Sequence, residues 1–238
     1  MKGYIHSFES LAAVDGEGLR YGVFLSGCPL RCIYCHTPDT WFKSENEIDA
    51  GSLVAKISRY KTYFGEDGGV TFSGGEPLLQ AEFIKSTLPY FAKHNINYII
   101  DTSGVVELTP TVCEVLENSQ SVLLDLKFWD KDSYKEYTGG NIESVLKTLA
   151  YLNSIGKKTV IRTVIVPGIN DKEEILDKYL ELLSEFSCIT KYELLAFHTM
   201  GFFKYENLGI ENKLKDTDPL SHDVLDRLQA YINNKIGL

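Results

Sequence analysis

The sequence predicts an α/β fold in which six βα units form a partial (β/α)6 barrel. Three features of its 238 residues point there. Short β-rich runs alternate with longer segments of helical period. Several of those runs are almost wholly apolar, as strands covered on both faces must be. Six units also fall short of the eight that close a barrel. Periodicity alone admits an open doubly wound sheet as the alternative.

Taken in order, the β-rich runs cover residues 21–26, 70–73, 98–102, 122–127, 159–166 and 192–197. Between the second and third, Pro77 can start a helix that runs to about Phe91, since proline at the first helical position loses no needed hydrogen bond. After the fourth, Asn141 can cap a helix whose apolar face is Val145, Leu146, Leu149 and Leu152, and Gly156 can stop it. After the fifth, Glu173 and Glu174 suit a helix N-terminus, and Ile175, Leu176, Tyr179, Leu180 and Leu183 make its buried stripe. Residues 199–219 break the pattern. They are polar and without clear period, hold Phe202, Phe203 and Tyr205, and read as a long loop of functional kind.

With 44% hydrophobic residues the chain can bury one sizeable core, so residues 1–238 are expected to form a single domain. Its formal charge of −9 argues against a broad phosphate-binding face, and nucleic acid is not an expected partner. No apolar run reaches the roughly 18 residues of a membrane span. Residues 1–17 lack a signal-peptide core and carry Glu9, Asp15 and Glu17, so a cytoplasmic protein is expected.

Three of the five cysteines crowd into eight positions, a poor layout for disulfides and a good one for metal. They form Cys28-Pro29-Leu30-Arg31-Cys32-Ile33-Tyr34-Cys35, a C-x3-C-x2-C array directly after a strand. Thiolates favour zinc or iron–sulfur clusters. Zinc would need a fourth ligand, for which His36 is adjacent, but the ligands of zinc fingers come as two separated pairs. A four-iron cluster on three cysteines leaves one iron open to a small molecule. Three buried structural cysteines are the plainest alternative. Cys113 and Cys188 have no cysteine nearby and read as buried apolar side chains.

The array resembles the signature of the radical S-adenosylmethionine (SAM) superfamily. The chain around it is similar to one branch, the activating enzymes of glycyl radical enzymes. The likeness is carried by Ile5-His6-Ser7-Phe8-Glu9-Ser10, Val14-Asp15-Gly16-Glu17-Gly18 and Cys35-His36-Thr37-Pro38-Asp39-Thr40-Trp41. It continues in order through Ser73-Gly74-Gly75-Glu76, Asp101-Thr102, Asp125-Leu126-Lys127 and Val166-Pro167-Gly168. Glu17 stands where the branch often has proline, and Thr37 where it often has asparagine.

The resemblance implies a barrel of the radical SAM type holding a [4Fe-4S] cluster on Cys28, Cys32 and Cys35, with SAM beside it. It places Gly74, Gly75 and Glu76 at the methionine amino group, Asp125, Leu126 and Lys127 along the cofactor, and His198 at the adenosine. Tyr34 and His36 would border the adenine, and Arg162 would join the pocket. Asp101, Thr102 and Asp125 would hold a monovalent cation. Cleavage of SAM needs no acid–base pair or nucleophile. The implied reaction is hydrogen abstraction from a glycine of a partner protein, with pyruvate formate-lyase as leading partner and flavodoxin or ferredoxin as low-potential electron donor. Other activating enzymes of this kind often carry a second cysteine-rich insert, which this chain lacks. The rivals are activation of a different glycyl radical enzyme and, in another class, a non-catalytic iron–sulfur or zinc protein that senses redox state. Phe202, Phe203 and Tyr205 are expected either to clasp the partner's glycine loop or to pack residues 199–219 onto the barrel.

Overall fold

Each of the six β-rich runs is a strand in the computed structural model, which describes residues 1–236. Two more strands join them. The chain gathers into two units, the first made of Met1–Pro29, Thr40–Thr102 and Val106–Leu123, the second of Leu30–Asp39, Ser103–Val105 and Leu124–Leu238.

The first unit contains β1 (Lys2–Ala12), β2 (Arg20–Leu25), β3 (Glu47–Asp49), α1 (Ala50–Ser58), β4 (Gly69–Gly74), α2 (Ala81–His94), β5 (Tyr98–Thr102) and α3 (Pro110–Asn118). Strand β6 (Ser121–Asp125) leads from it into the second unit, which continues with α4 (Lys131–Thr138), α5 (Ile142–Ser154), β7 (Thr159–Ile165), α6 (Glu173–Leu183), β8 (Ile189–Ala196), α7 (Phe202–Leu208) and α8 (His222–Ile236). The strand order is β3-β1-β2-β4-β5-β6-β7-β8. Among the described helices none is long and apolar enough to cross a membrane.

The two added strands, β1 and β3, pair antiparallel, whereas β2 with β4, β4 with β5 and β7 with β8 are parallel. Their absence from the sequence reading has a physical cause. A strand near a sheet edge keeps one face in water, so β1 mixes Lys2, His6 and Glu9 with Ile5 and Phe8 and never becomes a continuous apolar run. The parallel strands are different: Val23, Leu25, Val70, Phe72, Ile99 and Ile100 are wholly buried in the first unit.

Local signals explain most helix ends. Asn141 caps α5 by accepting from the Glu143 amide at 2.9 Å, and Gly156 lies in the left-handed region just past its end. Pro77 opens a 3-10 turn, Pro77–Gln80, before α2 proper begins. Two expectations need correction. Residues 199–219 are not one loop, because α7 occupies Phe202–Leu208; a helix of two turns is too short to show a period. Strand β6 stops at Asp125 rather than Lys127, and beyond it the Leu126 amide still donates to the Arg162 carbonyl.

Buried in the first unit is a residue that the sequence reading passed over. Arg20, on β2, is 0% exposed. Its guanidinium donates to the Thr71 hydroxyl, to the Asn97 side-chain oxygen and to the carbonyls of Glu17, Asp67 and Val70 at 2.8–3.0 Å. Neutral acceptors thus satisfy a buried charge, and they tie the turn before β2 to β4 and to the start of β5.

Candidate functional site: a cysteine loop and two clusters of polar side chains

Cys28 lies in the first unit, Cys32 and Cys35 in the second, and none of the five cysteines is in a disulfide. The Cys35 amide donates to the Cys32 carbonyl at 3.1 Å, so the last two thiols flank a tight turn. Among the described residues no three histidine, cysteine, aspartate or glutamate side chains converge on one point as the ligands of a single ion. A four-iron cluster makes no such demand, because each thiolate binds a different iron. Cys188 is buried as expected, but Cys113 is only half-buried, since it lies on the partly open face of α3.

In the first unit, Gly74 ends β4 and Gly75 follows it for steric reasons. Gly74 has φ +118°, and a Cβ on it would lie 2.2 Å from the Leu25 carbonyl oxygen. A Cβ on Gly75 would meet the Gly27 carbonyl at the same distance. Only glycine fits either position. Glu76 is fully buried, and its carboxylate caps the 3-10 turn by accepting from the Leu78 amide at 3.1 Å. The same oxygen accepts from the Thr102 hydroxyl at 2.7 Å. Asp101 accepts from the Ser73 hydroxyl at 2.6 Å. Glu76 with Thr102 and Asp101 with Ser73 therefore lie together at the C-terminal ends of β4 and β5.

The second unit brings together Asp125, Lys127 and Arg162. The Asp125 carboxylate takes the Lys127 ammonium at 3.0 Å on one oxygen and the Arg162 guanidinium at 3.1 Å on the other. Burial works to raise the Asp125 pKa, but the two cations outweigh it and hold the carboxyl below its usual range. Burial likewise opposes the charge on Lys127, yet Asp125 outweighs it and keeps the ammonium protonated. The backbone behind them is fixed as well. Thr163 donates to the Leu126 carbonyl at 2.7 Å, and the Tyr179 hydroxyl to that of Lys127 at 3.0 Å.

Beside this triad lie aromatic rings. Tyr34 is buried against Phe128, with centroids 6.1 Å apart, and burial raises its phenol well above the ordinary value. The His36 and His198 rings face each other at 5.3 Å. The Tyr34 hydroxyl and His198 Nδ1 are buried and find no hydrogen-bond partner among the described residues. Unsatisfied buried polar atoms are rare in native proteins and mark places where a ligand's own groups complete the set. Unlinked thiols, a charged triad and two such atoms fit a thiolate-bound cluster with a polar, aromatic cofactor.

The arrangement can be compared with known proteins. The family model described as "Radical SAM superfamily" matches residues 23–180. This chain belongs to the radical SAM superfamily. A pyruvate formate-lyase-activating enzyme from Clostridium pasteurianum is 41% identical over 232 residues, covering 97% of each chain. One from Staphylococcus epidermidis is 39% identical over 241 residues, covering 98% of this chain and 96% of its own. As a radical SAM protein the chain carries a [4Fe-4S] cluster and uses SAM. Solved structures share its fold. Streptococcus suis SuiB bound to SAM superposes with a TM-score of 0.68 at 21% identity, over 88% of this chain and 45% of SuiB. A domain of pyruvate-formate lyase-activating enzyme from Bacteroides vulgatus does so with a TM-score of 0.57 at 24% identity, over 70% of this chain and 94% of that one.

The residues assigned by resemblance thus divide between the units. Gly74, Gly75, Glu76, Asp101 and Thr102 lie in the first, and Tyr34, His36, Asp125, Leu126, Lys127, Arg162 and His198 in the second. The sequence reading missed Thr163, whose only signal is polarity in an apolar strand, and it read Tyr179 only as part of the buried stripe of α6.

Proposed function

We propose that this radical SAM enzyme activates pyruvate formate-lyase by generating a radical on a glycine of that partner. The observation that carries this reading is the likeness, over nearly the whole length of both chains, to relatives named for that activity. When bound, the cluster supplies one electron to the sulfonium of SAM, which splits into methionine and a 5′-deoxyadenosyl radical able to take a glycine hydrogen atom.

Cys28, Cys32 and Cys35 hold the cluster, leaving one iron without a protein ligand. Lys127 and Arg162, balanced by Asp125, present positive charge to an anionic cofactor group while Leu126 lines the same segment. Tyr34, His36 and His198 border the adenosine, and the hydroxyl of Tyr34 and Nδ1 of His198 supply hydrogen bonds to it. Gly74 and Gly75 let the backbone approach the methionine end beside Glu76. Asp101, Thr102 and Asp125 are the oxygen donors for a monovalent cation. In this reading residues 1–238 work as one domain in the cytoplasm, with reduced flavodoxin or ferredoxin as electron source and neither nucleic acid nor membrane as partner.

The test is anaerobic reconstitution with iron and sulfide, followed by mixing with SAM, a reductant and pyruvate formate-lyase. A glycine-centred radical by electron paramagnetic resonance (EPR), formed with stoichiometric 5′-deoxyadenosine, is the expected result. Cleavage of SAM with no radical on this partner, but with one on another glycyl radical enzyme, would reassign the partner and keep the chemistry.

A further inference from the structure

Helix α7 grips the cysteine loop at three points, all within the second unit. The Tyr205 hydroxyl donates to the Cys35 carbonyl at 2.7 Å. One residue earlier, the Lys204 ammonium pairs with the Asp39 carboxylate at 3.0 Å. At the start of the helix, Gly201 packs so tightly that a Cβ on it would stand 2.2 Å from the His36 carbonyl oxygen. Together the three contacts span residues 35–39.

The grip is built rather than incidental. Tyr205 is 3% exposed, and its ring is held edge-on by Phe202, whose own ring rests 6.0 Å from that of Phe197. A hydrogen bond to the Cys35 carbonyl fixes the plane of the Cys35–His36 peptide. That plane contains the Cα atoms of both residues, so it restrains where the Cys35 side chain starts on one side and where His36 starts on the other.

We infer that Tyr205, supported by Lys204, is a positioning residue for the third cluster cysteine. It holds the Cys35 peptide in the orientation that keeps this thiolate on its iron. The inference rests on the reading that Cys28, Cys32 and Cys35 hold the cluster. Of the two expectations for Tyr205, its burial and its bond to its own cysteine loop fit packing onto the barrel.

Tyr205→Phe removes the hydroxyl and keeps the ring. Tyr98→Phe is the matched control, because the buried Tyr98 hydroxyl also donates to a backbone carbonyl, that of Val115, at 2.7 Å. Both variants should lose similar thermal stability. Only Tyr205→Phe should release iron to a chelator faster than the parent, by about threefold to tenfold, the range of one lost hydrogen bond. Its reduced cluster should also give a shifted EPR spectrum. Equal release rates in the two variants would overturn the inference. Should Tyr205→Phe fail to fold, Lys204→Gln takes its place: release at least about twofold faster supports the inference, and an unchanged rate overturns it. A parent protein that takes up no iron after reconstitution would instead fail the cluster assignment itself.

Discussion

His36 and His198 stand ring to ring, centroids 5.3 Å apart and planes inclined by 55°. One follows the last cluster cysteine and the other follows β8, so the pair ties the cysteine loop to the end of the sheet within the second unit. His198 Nδ1 is buried without a partner among the described residues, so removing the ring costs no hydrogen bond at that nitrogen within the protein, and under the proposed function it deletes one to the cofactor. His198→Ala should weaken SAM binding about tenfold, with iron content unchanged. Equilibrium binding to the reconstituted variant measures it, and parent-like affinity would move the adenosine elsewhere.

Under the proposed function the cysteines divide into cluster ligands and bystanders. Cys28→Ala, Cys32→Ala and Cys35→Ala should each abolish 5′-deoxyadenosine formation, and stripping iron from the parent should do the same until iron and sulfide are restored. Cys113→Ala and Cys188→Ala should retain most of the activity. Iron content and product yield across the five variants decide, and loss at Cys113 equal to that at Cys35 would overturn the assignment.

Asp125 carries two cations at once. Asp125→Ala leaves Lys127 and Arg162 facing each other, side chains only 14% and 10% exposed, without their shared carboxylate. The cost should be about 2 kcal/mol of stability, below the usual range for a buried pair because Asp125 itself is 26% exposed. Lys127→Met should cost less, since Arg162 still balances the carboxylate, yet it should weaken SAM binding more than it weakens the fold. Urea unfolding of the iron-free proteins tests the order. Equal destabilisation by both would mean that the carboxylate is not shared.

Arg20 is a test of the first unit alone. Arg20→Met deletes a guanidinium that serves Thr71, Asn97 and three carbonyls, and should cost about 3 kcal/mol or more. Arg20→Lys, with three donors in place of five, should recover only part of it. A urea midpoint for Arg20→Met within error of the parent would show the network to be dispensable.

On α7 the most exposed large apolar residue is Phe203, at 58%, with Met200 before the helix at 74%. Phe203→Ser should lower glycyl radical yield on the protein partner several-fold while SAM cleavage without the partner stays intact. Parallel EPR and chromatography read the two, and proportional loss of both signals would remove Phe203 from the docking face.

Features that lie close together along the chain are legible before it folds. The three cysteines and their neighbours span eight positions, several of the strands are almost wholly apolar runs, and Asn141 and Gly156 mark the ends of their helix by local backbone chemistry. Each such signal involves a few consecutive residues, so no tertiary contact is needed to read it. The family likeness extended this to Lys127, Arg162 and His198, although polarity at a strand end did not by itself say what they face. The tertiary structure decided the rest. Arg162 reaches Asp125 across 37 residues and Tyr205 reaches Cys35 across 170. Arg20 is buried because folding brings Thr71 on the neighbouring β4, and Asn97 just before β5, to its guanidinium. Glu76, which the family likeness associated with the cofactor, also caps its own helical turn and meets Thr102. Such pairings depend on which strand lies next to which, and no period or spacing in the chain encodes that, because a side chain's partner is set by the neighbours that folding brings to it.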